Sequence, residues 1–248
     1  MLFLERSLRL GELLSLFTLF SAWVILSLSG TLPSPRDVTA YIIHLEREKV
    51  LSHVTLTLFN SISGFSLALI SSLALGVVSH RSYVARGFSN GLCSIFNSTS
   101  ALIWSLVLVS TVGILSPLSP ILVVAAVTFP QLLSAVSASL DSVDERLLEM
   151  VRSLGGSPAD EYFDVIIPSS LPVLISSSRV AIGLGLRISV VAEAFGSSGG
   201  IGYMIMRSYN LVDVTGVLAW SLLLIILVVA VDHLILRYIE ERSRRWLR

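Results

Sequence analysis

Charge is scarce in this chain of 248 residues: 14% are charged, and lysine occurs once, at Lys49. A Walker A phosphate loop needs Gly-Lys-Ser/Thr, and Lys49 follows Glu48, so the chain cannot hold ATP in that way. Cysteine also occurs once, at Cys93, which excludes an internal disulfide and a cysteine-cluster metal site. His44, His53, His80 and His233 are scattered along the chain and show no metal-ligand spacing. His-Glu-x-x-His is absent, and no pair of aspartates lies inside an apolar run, so neither an enzyme nor a cofactor is expected. No stretch reads as nucleic-acid recognition. What the chain has instead is apolar surface, with 54% hydrophobic residues and a mean hydropathy of +0.84. That composition describes a membrane protein of several helices, each needing about 20 apolar residues to cross roughly 30 Å of hydrocarbon.

The charge-free runs divide the chain into an all-α, six-span transmembrane domain over 1–248, with spans at 13–30, 54–79, 88–112, 119–140, 173–193 and 214–232. The first run lacks an Ala-x-Ala-like cleavage site and is long for a signal peptide, so it is expected to be retained. Residues 87–140 carry no charge over 54 positions, twice the length of one span, and Gly113, Pro117 and Pro120 supply the break between two helices. Ser94, Ser98, Ser100, Ser105 and Ser110 suit close helix contact, where small residues let backbones approach. With both termini in the cytoplasm, the inner segments hold eleven arginines and the outer ones four basic residues, Arg36, Arg47, Lys49 and Arg207. The positive-inside rule selects that orientation.

The polar stretch 141–172 between the fourth and fifth spans then lies in the cytoplasm. Ser142 with Glu145 has the spacing of a capping box, and Val143, Leu147, Met150 and Leu154 recur on one helical face. Gly155 and Gly156 end that helix, because glycine readily takes the left-handed cap conformation. Ser157 and Pro158 restart it as N-cap and first-turn proline, with Asp160 and Glu161 favourable in the first turn. Pro168 and Pro172 are expected to punctuate the exit.

This spacing resembles the Glu-Ala-Ala loop of ABC-transporter permease subunits. Glu149-Met150-Val151 is followed by three residues, Gly155, nine residues, and Val165-Ile166-Ile167-Pro168. The glutamate, glycine and proline are in register, whereas both alanines are replaced. Further pieces are similar to the nitrate, taurine and aliphatic-sulfonate group: Leu32-Pro33-Ser34-Pro35, Gly64-Phe65, Gly113, Arg179, Glu193 and Gly200-Ile201-Gly202-Tyr203. The chain departs from that group at Cys93–Ser98, where the group commonly has an Arg-Pro-x-Pro-like stretch.

The resemblance implies a type I importer permease in the inner or plasma membrane. Its partners would be an ABC ATPase subunit that hydrolyses the ATP, a second permease copy, and an extracytoplasmic solute-binding protein. Glu149, Met150, Val151, Gly155, Ile167 and Pro168 would belong to the coupling helix that docks on the ATPase. The implied solute is a small nitrate-, sulfonate- or taurine-like ion. The rival readings are another solute class, such as a vitamin precursor or amino acid, and a channel or carrier that works alone.

Arg187 is the costly residue. It lies past the middle of the fifth span, where an arginine costs about 2.5–3.5 kcal/mol on insertion scales. It either meets an anion in the translocation path or is a snorkelling or paired arginine that never meets solute, with Glu193 on the same or a partner helix as a candidate partner. Arg179, nearer the inner end, can snorkel. Glu193 is a gate or packing element, or a solvated helix end.

Overall fold

The structure, a computed structural model, describes residues 2–113 and 115–236; the arginine-rich tail lies outside the described residues. Among the described residues eleven helices run in chain order: α1 (Leu2–Leu28), α2 (Pro35–His44), α3 (Arg47–Arg81), α4 (Tyr83–Ser98), α5 (Ala101–Val112), α6 (Leu118–Asp141), α7 (Glu145–Ser153), α8 (Pro158–Asp160), α9 (Ile167–Gly196), α10 (Ile201–Asn210) and α11 (Val214–Ala230). Two π turns, Glu161–Ile166 and Val231–Leu236, lead into α9 and continue α11. Among the described residues there is no strand, as the sequence led one to expect.

By length and composition four helical stretches among the described residues can cross a membrane: Arg47–His80, Leu118–Asp141, Pro158–Gly196 and Val214–His233. The expected third span, 88–112, is α4 plus α5, which meet at 95°. Thr99 between them is extended (φ −103°, ψ 127°), and the Ser100 hydroxyl accepts from the Ile103 N–H to start α5 afresh. Ser100 thus caps a helix rather than packing one against another. The first expected span, 13–30, falls on α1, 27 residues long, whose described apolar part is Phe17–Leu28. The count of six therefore holds only if the bent pair and α1 are both included.

The core is built by α3, α6 and α9. Ala68, Ala125, Leu132 and Ala181 close its centre, flanked by Phe65, Leu69 and Phe129. α3 and α6 run parallel and touch along α3's small residues: a Cβ at Gly64 would overlap Ile121 and Val124, and one at Gly76 would overlap Val136. The Ser72 hydroxyl donates across the seam to the Phe129 carbonyl at 3.1 Å. Backbone approach of this kind drives helix association where lipid tails are as apolar as leucine. α9 returns antiparallel, with Gly185 against Val124 and Thr128.

The bundle therefore has two distinct ends. The loop end gathers His80, Arg86, Asp141 and α7, while the far end gathers α2, α10 and the outer turns of α3, α9 and α11.

Two local expectations are corrected. Ser142 does not open α7, because α6 runs on to Asp141 and Ser142 is its C-cap, with its hydroxyl donating to the Ser139 carbonyl. Asp144, in an extended conformation, accepts from the Arg146 N–H and caps α7 instead. Pro168 and Pro172 do not end a helix either. The chain is helical without a gap from Pro158 to Gly196. The π turn before Pro168, in which the Ile167 N–H reaches the Tyr162 carbonyl, widens the helix where the proline ring would otherwise clash with the preceding turn.

Candidate functional site

Two places carry the singled-out residues. The first is the loop around α7. Leu148 packs with Tyr162 and Val143 on Val136, Leu140 and Ile166, so one side of α7 is seated on the bundle. The other side is bare: Leu147, Met150 and Leu154 are 40%, 53% and 81% exposed, and Glu149 is exposed beside them. Gly155 takes φ +82°, the left-handed cap foreseen for it, and Ser157 accepts from Asp160 in a complete capping box. Arg152 donates from Nε and Nη2 to both Glu161 carboxylate oxygens at 2.8 and 2.9 Å. These hydrogen bonds, and then the charge of Glu161, hold the guanidinium above its ordinary pKa. The pair joins the two sides of the glycine turn. Val151 is half-buried, whereas Ile167 and Pro168 are exposed at the foot of α9.

The second place is α9 above its middle. Arg187 is exposed on the single chain and makes no hydrogen bond or ion pair among the described residues. With Gln131, Arg179, Gly183, Asp232 and His233 it lines a cavity of about 490 Å³. Arg179 is engaged there, donating from Nε and Nη2 to the two oxygens of Asp232, both at 3.2 Å. Asp232 closed the last apolar run in the sequence, but nothing in the spacing tied it to Arg179.

Glu193 does not neutralise Arg187. It is 0% exposed, and four donors converge on it: Thr57 Oγ1 on Oε2 at 2.9 Å, Asn60 Nδ2 and Ser189 Oγ on Oε1 at 2.9 Å each, and the Gly202 N–H on Oε2 at 3.1 Å. The Ile201 N–H reaches Thr57 Oγ1 at 2.9 Å and the Gly200 N–H reaches His53 Nδ1 at 3.1 Å. The free amides at the start of α10 are thus satisfied by side chains of α3 and α9 rather than by a local cap. Gly200 sits at φ +100°, and a Cβ there would overlap the Glu193 carboxylate. In this conformation Glu193 is a buried, fully hydrogen-bonded packing element and not a solvated helix end.

Sequence reasoning missed His53, Thr57 and Asn60. Their i, i+4, i+7 spacing inside a charge-free run was the available signal. The string Gly196-Ser197-Ser198-Gly199-Gly200 has the lettering of a nucleophile elbow. It joins helix to helix, however, and the Nδ1 of the neighbouring His53 is already taken by Gly200.

The chain resembles known permeases along most of its length. It is 25% identical over 97% of its length to the taurine transport system permease protein of Escherichia coli, covering 90% of that protein. It is 27% identical over 87% of its length to an ABC transporter permease protein of Methanocaldococcus jannaschii, covering 82% of it. To an aliphatic sulfonates transport permease of Bacillus subtilis it is 23% identical over 80% of its length and 71% of the relative's. Among solved structures, the methionine ABC transporter MetNI in an inward-facing conformation superposes with a TM-score of 0.68 at 19% identity, over 82% of this chain and 97% of that one. That likeness shows the fold alone. The profile of the binding-protein-dependent transport system inner membrane components matches residues 64–245, and the chain belongs to that family, as a permease subunit of an ABC importer.

Proposed function

We propose that this permease passes a small anionic or zwitterionic solute, of the nitrate, sulfonate or taurine kind, along the exposed face of α9. The observation that carries the reading is Arg187: a cation in an open cavity, above mid-helix, whose neighbouring carboxylate, Asp232, is hydrogen-bonded to Arg179 and not to it. The Arg179–Asp232 pair at the same cavity is already balanced, so Arg187 supplies the unbalanced charge. An anion passing it offsets the burial of that charge, whereas a cation adds to it. The taurine and aliphatic-sulfonate relatives are named for solutes that both carry a sulfonate group. A second copy would complete the path by covering the open side of α9. An ATPase subunit would seat on the bare side of α7 at Glu149, Met150, Val151 and Gly155, with Ile167 and Pro168 at its margin. A binding protein would deliver solute at the far end. The loop end, both termini included, would face the cytoplasm.

The test is uptake of taurine, methanesulfonate and nitrate by Arg187→Gln and Arg187→Lys variants in the complete transporter. Arg187→Gln is expected to lower anion uptake at least tenfold with membrane insertion and ATPase binding intact, and Arg187→Lys to retain part of it. Normal uptake of all three by Arg187→Gln overturns the reading.

A further inference from the structure

α10 is two-sided. Ile201, Gly202 and Ser208 are buried, whereas Tyr203, Met206, Arg207 and Asn210 fall at i, i+3, i+4 and i+7 on its other face. That face, together with Ala194 and Ser197, lines a cavity of about 370 Å³ at the far end. Arg207 is exposed and makes no hydrogen bond or ion pair among the described residues, and no residue lining the cavity is acidic. A guanidinium offers five donors and accepts nothing, so this cavity has donors waiting for an anion. Its geometry is fixed in advance, because the buried amides of Gly200, Ile201 and Gly202 tie α10 to His53, Thr57 and Glu193. The cavity also lies on the path proposed above. Ala194 is two helical turns beyond Arg187 on the same face of α9, a rise of about 10 Å.

We infer that this cavity is a second anion site, which receives the solute at the far end before Arg187 does, and that its ligand is an organic anion. The inference rests on the anionic reading of the solute and sharpens it. One wall offers the Arg207 guanidinium with the Ser197, Tyr203 and Asn210 polar groups. The other wall is Ala194, Phe195, Met206 and Leu211. A sulfonate or carboxylate carrying a short alkyl or aminoalkyl tail uses both walls, and the volume is in the range of small-molecule sites. A bare inorganic anion uses only the first.

The experiment places a thiol in the cavity by Met206→Cys in a Cys93→Ser background, in the intact membrane-embedded transporter, and follows its labelling by a neutral maleimide. 1-Butanesulfonate at millimolar concentration is expected to slow labelling at least threefold, and nitrate at the same concentration by less than half as much. Arg207→Gln removes the protection and Arg207→Lys keeps part of it. Arg187→Gln leaves protection in place while losing uptake. Equal protection in the Arg207→Gln variant, or none at all, overturns the site, and equal protection by nitrate overturns its organic ligand. Uptake lost with Arg187→Gln but no Arg207-dependent protection sinks the site and spares the path. Arg207-dependent protection with uptake surviving Arg187→Gln sinks the path and spares the site.

Discussion

At the loop end carboxylates meet arginines: Arg86 with Asp141 and Arg152 with Glu161, each pair having at least one partner more than a third exposed. At the far end Glu193 meets no arginine and is held by two hydroxyls, an amide and a backbone N–H, all buried. The two arrangements behave differently under displacement. An exposed ion pair exchanges with water at little cost and contributes little net stability. A buried acceptor whose donors are all satisfied holds one geometry, because every donor it releases is left unpaired away from water. The loop end can thus rearrange at little cost, whereas the far end holds one geometry.

The sharpest way to break this contrast is Glu193→Ala, which strands four buried donors at once. It is expected to lower stability by about 2–4 kcal/mol, read as the thermal unfolding midpoint of the purified protein, with Glu193→Gln milder because its amide oxygen still accepts. A Glu193→Ala protein within 0.5 kcal/mol of the parent would mean the knot holds nothing together.

Next in size is Gly155→Val. The left-handed φ of +82° costs a β-branched residue about 1–2 kcal/mol, and a relaxed turn would re-aim the bare face of α7. The expected result is loss of transport-coupled ATP hydrolysis in a protein that still inserts. Normal coupled hydrolysis with the ATPase bound would remove α7 from the coupling role.

The smallest effect is at α2. Asp37, fully solvent-accessible, has its pKa lowered first by the Ser34 hydroxyl, then by the Ser34 backbone N–H. For a carboxyl depressed in the fold, the stabilisation is complete above the unfolded aspartate range, and it is lost as pH falls through the lower, folded value. The protection of the amides at the first turn of α2, as exchange rates relative to those of an unstructured peptide at the same pH, is therefore expected to be constant from neutral pH to about 5 and to fall only below the ordinary aspartate range, near 4. A fall in protection already between pH 7 and 5 would show that the capping box of Ser34 and Asp37 is not what holds that turn.

Much of this was legible from residue type and spacing. The apolar runs gave the long helices, Gly155 its cap and Ser157-Pro158 its restart, because each is a local property of the chain. What escaped was set by distant partners or by backbone compensation. Ser98-Thr99-Ser100 is compatible with either a packed helix or a broken one, and the Ser100 cap decides it. Pro168 usually ends a helix, but a π turn one residue earlier absorbs it. Glu193 carried no hint of Thr57 and Asn60, which lie 136 and 133 positions away, and its charge suggested Arg187 instead.

The unbroken helix from Pro158 to Gly196 has a mechanical consequence. Its 39 residues span roughly 58 Å at about 1.5 Å per residue, with the Arg152–Glu161 staple at its foot, Arg187 partway up and Glu193 near its top. Moved as a rod, a helix of that length converts angle into distance: a tilt of about 5° at one end shifts the other by roughly 5 Å. With Glu193 holding the top, the knot would be the fulcrum of such a tilt, and the foot and the Arg187 side chain would sweep while the top stayed put. A push of a few ångströms on α7 would then reach Arg187 as sideways travel in proportion to its distance from the fulcrum.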